Sequence, residues 1–172
     1  SGGDSTVVMF DLKTLKVLGK TIAAVDCDAI LYGPASGHIF TFNGDAGSAS
    51  VLDARTGKRI RNITLPGKPE FGVTNGKGRV YVNIEDKSLV AEIDSRANRV
   101  TRQWSIAPCT SPSGLAIDVA HNRLFSGCHS KVMGISDAVA GKLVATAPIG
   151  TGVDADRFDA STQYAFASTG DG

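Results

Sequence analysis

The sequence predicts an all-β fold: a β-propeller of four-stranded antiparallel blades, with four repeats in the chain. Three observations lead there. Two independent sets of anchor residues recur with a period of 41 to 44 residues. Each period divides into four short apolar runs separated by turn residues. No stretch carries the long three-to-four spacing of an amphipathic helix.

The first anchors are the aspartates of FDLKTLKVL, LDARTGKRI, IDSRANRVT and SDAVAGKLV. They fall at Asp11, Asp53, Asp94 and Asp137, spaced by 42, 41 and 43 residues. The second set opens HIFTFN, RVYVNI, RLFSGC and YAFAST, at His38, Arg79, Arg123 and Tyr164, spaced by 41, 44 and 41 residues. Residues 68–109 show the unit at its clearest. GVTN and a Gly-Lys-Gly turn lead into RVYVNI, the loop EDKS, LVAEID, the turn SRAN and then RVTRQWSI. β-branched and aromatic residues alternate between Gly, Asn and Asp punctuation, as strands and hairpins require. A four-stranded blade cannot bury both faces alone, so a period of this length implies neighbours.

Labelled a to d from the axis outward, the strands divide the chain into a single domain over 1–172. It holds the c–d strands of a first blade (5–24), full repeats at about 25–67, 68–109 and 110–150, and the a–b strands of a last blade (151–172). The opening Ser1-Gly2-Gly3-Asp4-Ser5 and the closing Ser168-Thr169-Gly170-Asp171-Gly172 read as the same b–c loop. Two assemblies follow. The terminal halves can join within one chain as a four-bladed ring, or two chains can exchange halves and make eight blades. The sequence favours the second, because four blades is the lower limit for closure.

A hydrophobic fraction of 42%, a charged fraction of 20% and a net charge of +1 describe a globular chain with no long-range pull toward nucleic acid or anionic lipid. No apolar run reaches the length of a membrane helix. The opening SGGDST, with no initiating Met and no signal pattern, reads as processed, excised or engineered.

With the repeat in place, GKPEFGVTNGKGRVYVNIEDKSLVAEID and APCTSPSGLAIDVAHNRLFSGCHSKVMGISDAVAGKLVATAPIGTGVDADRFD resemble the YVTN-repeat, YncE-like bacterial propellers. The resemblance runs over nearly the whole chain. It implies about half of a ring of seven or eight blades, a periplasmic or cell-surface location, and a binding or scaffold role without an agreed enzymatic activity.

Several residues are candidates for chemistry. Cys109, at the d-to-a crossing, and Cys128, closing strand b, fall at the same end of one blade and suit a disulfide. This fits a cysteine pairing in the family and an oxidising compartment. Cys27 is left as a free thiol. Asp28 aligns with Asp154, with Asp26 and Asp156 beside them; the equivalent places in the other units are Pro69, followed by Glu70, and Ser113. With Asn43, Asn83 and His129 they are expected on the axial face, where carboxylates would take a cation or a positively charged ligand. The competing role is capping of backbone N–H groups at the crossings.

No metal and no cofactor is expected, since adjacent Cys128 and His129 on a strand point apart. The Asp-x-x-x-Gly-Lys runs lack phosphate-loop spacing and read as hairpin turns. His38, His121 and His129 are scattered with no predictable carboxylate, which argues against a hydrolase. Arg and Lys on the outer strands suit edge protection better than nucleic-acid binding, and Trp104 and Phe71 read as inter-blade core. The expected function is a non-enzymatic binding or scaffold module. Its partners would be a second copy and a protein or small-molecule ligand on the axial face. The alternatives are a ligand- or metal-dependent enzyme using that pocket, and a fragment with no function of its own.

Overall fold

The computed structural model describes residues 2–172. It is a β-propeller arc. Three sheets have four antiparallel strands each. They are β3 (Cys27–Gly33), β4 (His38–Asn43), β5 (Ser48–Asp53) and β6 (Arg59–Thr64); β7 (Pro69–Thr74), β8 (Arg79–Ile84), β9 (Leu89–Asp94) and β10 (Arg99–Ser105); and β11 (Pro112–Asp118), β12 (Arg123–Cys128), β13 (Val132–Asp137) and β14 (Lys142–Pro148). Two-stranded half-blades flank them: β1 (Thr6–Phe10) with β2 (Val17–Ile22), and β15 (Asp156–Asp159) with β16 (Tyr164–Ala167).

The turns explain the aspartate anchors. Asp53 Oδ1 accepts the backbone N–H of Arg55 (3.1 Å) and Thr56 (2.7 Å). Asp11, Asp94 and Asp137 make the same pair of bonds in their own blades. These bonds stabilise the charged carboxylates and lower their pKa values. A left-handed residue then closes each hairpin: Leu15, Gly57, Asn98 and Gly141. The Gly-Lys runs are hairpin turns in the structure, as their spacing suggested.

Strand β8 shows how a blade satisfies two neighbours. Val80, Val82 and Ile84 enter the core shared with Phe40 and Phe42 on one side. Tyr81, from the alternate position, enters the core shared with Trp104 and Leu124 on the other. A strand buried on both faces must read as a continuous apolar run, and VYV does so. Arg102 ties the same two blades together. It pairs with the buried Glu92 (2.6 Å), donates to the Ala138 and Val139 carbonyls and lies over the Trp104 ring.

The innermost strands β3, β7, β11 and β15 pack against one another in series. Three of them open with a bulge, at Cys27/Ala29, Pro69/Gly72 and Pro112/Leu115. A bulge re-aims side chains beside the axis. It also corrects one expectation: Phe71 sits in the bulge of β7 and is exposed on the axial side, while Trp104 is core as expected.

Within the chain, β15–β16 and β1–β2 remain separate sheets, so the arc does not close on itself as a four-bladed ring. The inter-blade fit is tight where Phe42 lies over Gly72, since a Cβ on Gly72 would enter the Phe42 ring. Gly72→Ala should therefore lose about 1–3 kcal/mol. Adding Phe42→Leu should recover part of that loss, so that a double-mutant cycle in urea shows coupling between the two positions.

Candidate axial binding groove

The serial packing of the inner strands leaves a concave groove of about 550 Å³ along the axis. Asp28 and Ile30 of β3, Phe71 of β7, Leu115 of β11, and Asp156 and Arg157 of β15 all line it. The floor is apolar, and a carboxylate stands on each outer strand. Arg157 is the one cation among these lining residues.

Asp156 is held in an unusual way. Its Oδ2 accepts the Gly127 backbone N–H at 2.5 Å, while Oδ1 is buried with no hydrogen-bond partner. Burial pushes its carboxyl up to about 6, against the lowering effect of the Gly127 bond. Gly127 and Gly114 have no side chains, and a Cβ on either would collide with Asp156. Register assigns Asp156 to the position held by Ile30, Gly72 and Leu115 in the other units, where no blade has another charge.

The other expected carboxylates form a second acidic group at the entrance to β3 and β7. Asp26, with φ of 59°, accepts the Asp45 N–H through Oδ2 (3.1 Å). Burial and the neighbouring Asp26 raise the pKa of Asp28. Lys68 bridges Glu85 (2.9 Å) and Glu70 (3.3 Å). These partners hold the Lys68 ammonium firmly charged. Glu70 is nonetheless raised, because burial outweighs its pairing with Lys68.

The remaining expected residues lie elsewhere. Asn43 is fully buried within its blade, bonded to Thr41, Ser48 and Ser50. Asn83 is also buried. It donates to the Ser113 and Gly114 carbonyls (3.2 and 2.8 Å) and accepts from Ser126 Oγ (2.9 Å), clamping two blades. Ser113 is buried, with its hydroxyl on the Asp154 carbonyl at 3.3 Å. Asp154 and His129 are exposed. The two asparagines therefore leave the axial face, because the expected alternation placed them by strand position without regard to the hydroxyls inside the blade.

Backbone capping accounts for the loop carboxylates. Asp86 accepts the Lys68 N–H at 2.8 Å and Asp171 the Thr151 N–H at 2.9 Å, with Ser130 doing the same for Thr110 at 3.0 Å. Sequence reasoning missed one pair: the ring of His121 contacts Asp118 Oδ2 at 2.6 Å. Burial acts to raise Asp118, but His121 and the local N–H groups outweigh it and lower the carboxyl. The i, i+3 spacing in a tight turn was the available signal. This pair lies at the a–b turn, at the opposite end of the blade from the Asp26–Asp28 entrance.

Cys109 and Cys128 form the expected disulfide, with Cα atoms 5.5 Å apart, and Cys27 is a buried free thiol. Gly134 leaves room for Cys109, where a Cβ would press on its sulfur. Among the described residues, no three His, Cys, Asp or Glu side chains are grouped to hold a metal ion. No helix of the structure is long and apolar enough to cross a membrane. The disulfide closes a sequence separation of 19 residues. Replacing both cysteines by alanine should cost about 3 kcal/mol, read from urea denaturation with and without reductant.

The chain is similar in structure to hydrazine synthase of Kuenenia stuttgartiensis, with a TM-score of 0.76 and 19% identity. The superposition covers 89% of this chain and 45% of that one, so the chain spans less than half the length of its structural neighbour. At this identity the likeness is one of fold. No protein-family model and no curated protein matches the sequence.

Asp156 also sets a pH dependence. Its folded pKa lies above the ordinary value of 3.8, so the folded state holds the proton more tightly. The resulting stabilisation is complete below about pH 4 and is lost as pH rises through the folded pKa. Asp156→Asn should therefore be the more stable protein at neutral pH, by about 1–2 kcal/mol after allowing for solvent screening, with the gap closing toward about pH 4. Urea midpoints measured across that range read it directly.

Proposed function

We propose that this chain is a non-enzymatic binding module of the YVTN-repeat, YncE-like kind, working in an oxidising compartment such as the periplasm. Its axial groove takes a ligand or partner side chain with a positive charge on an apolar body. The observation that carries this reading is Asp156, which lines the groove with Ile30, Phe71 and Leu115 and has one carboxylate oxygen buried without a partner. Burying a carboxylate with an unused acceptor is costly unless something completes it, and an ammonium or guanidinium would do so. Asp28, at the other side of the groove, adds to the same preference.

The compartment rests on the Cys109–Cys128 disulfide. The family reading rests on the residues that carry the resemblance and on the propeller fold.

The probe is phenethylamine, with phenylacetate as its anionic counterpart, in titration calorimetry on the whole chain. Saturable binding of the amine alone is expected, weakened about tenfold or more by Asp156→Asn. Equal binding of both probes, or of neither, refutes the reading.

A further inference from the structure

The net charge of +1 is the sum of two unlike ends. Antiparallel pairing puts the b–c loops and the d-to-a crossings at one end of every blade, and the a–b and c–d turns at the other. Among the described residues, the loops and crossings carry seven carboxylates and three cations, whereas the turns carry six cations and a single carboxylate, Asp11. The end opposite the Asp26–Asp28 entrance is therefore basic, although the chain as a whole is nearly neutral.

The cations recur with the repeat. Two residues after the anchor aspartates stand Lys13, Arg55 and Arg96, with Val139 in the remaining turn; five residues after them stand Lys16, Lys58, Arg99 and Lys142. All are exposed. The anchor carboxylates between them are bonded to the N–H groups of their own turns. Among the described residues, none of these seven cations has an ion-pair partner, nor has Lys77 of an a–b turn. At the other end Lys68 and Lys87 are both paired. Most of the basic residues stand in the turns themselves, past the ends of the strand ladders, so edge protection does not account for them.

Two features suit a lipid surface better than a linear polyanion. The charges sit on successive blades, spread over a face and not along one groove. Exposed aliphatic side chains stand among them: Val139 at 68% and Val119, in the a–b turn of the same blade, at 40%. A depression of about 540 Å³ opens at this end, with Lys77, Ile117, Val119 and Phe158 in its lining. Its carboxylate, Asp118, is already bonded to His121 and to turn N–H groups. An unpaired ammonium beside apolar side chains matches the boundary between headgroups and acyl chains.

We infer that this basic end docks on an anionic lipid surface, with Val119 and Val139 entering the headgroup layer. The acidic loops at the opposite end are repelled by the same surface, which fixes the orientation and leaves the axial entrance facing away. The inference concerns the face opposite that entrance and does not depend on what the axial groove binds.

Flotation of the whole chain with vesicles of phosphatidylcholine and phosphatidylglycerol in equal parts should show binding at low ionic strength. The binding should be lost at about 0.5 M salt and absent with phosphatidylcholine alone. Arg55→Gln with Lys58→Gln should weaken it about tenfold or more. Lys87→Gln with Lys131→Gln removes as many charges from the other end and should leave it unchanged; circular dichroism reports that both variants are folded. Val139→Ser should weaken vesicle binding about threefold. No vesicle binding, equal binding to both kinds of vesicle, equal loss in the two double variants, a Val139→Ser variant that binds as the parent does, or binding of a single-stranded oligonucleotide in place of vesicles would each overturn the inference.

Discussion

Every blade here must bury two faces against two neighbours, and one position in strand b decides whether it can. Phe42, Asn83 and Gly127 occupy that position in successive blades. Each points at the innermost strand of the next blade and finds a different answer. Phe42 meets Gly72, Asn83 bonds the Ser113 and Gly114 carbonyls, and Gly127 leaves its space to Asp156. Close packing tolerates neither overlap nor void, so large meets small and polar meets polar at each interface. The repeat conserves the contact, and the residues trade volume across it.

That trade explains why Asp156 is where it is. With no Cβ on Gly127, the third interface has room for a side chain reaching back from β15, and the buried N–H of Gly127 donates to one carboxylate oxygen. A leucine or isoleucine at this place, as at Leu115 and Ile30, would fill space without bonding that N–H. The aspartate satisfies the amide, while its second oxygen is buried with no hydrogen-bond partner. A structural solution at the blade interface thus leaves a carboxylate oxygen without a partner in a residue that also lines the axial groove.

The fold was legible because propeller turns are chemically explicit. The aspartates at 11, 53, 94 and 137 hold their hairpins through the same two N–H groups, so the period shows in the sequence as spacing. The disulfide was legible because strand direction alone brings Cys109 and Cys128 to one end of a blade. The site was legible only in part. Asp28 and Asp156 fall on the groove, but strand alternation says nothing of which polar neighbours a buried residue will find. Asn43 is consumed by Ser48 and Ser50, and Asn83 by the next blade. Phe71 was read as core because a bulge has no reliable signature in PEFGV, and the bulge turns the ring outward.

The same alternation accounts for the two ends of the arc. In β8 every residue from Val80 to Ile84 is buried because blades stand on both sides. In β1 and β16 the alternating residues on one face are covered and those on the other are open, which is how such a strand reads when a neighbour is missing. Propellers escape the hazard of sheet edges by circular closure, and an arc has two edges that closure would remove.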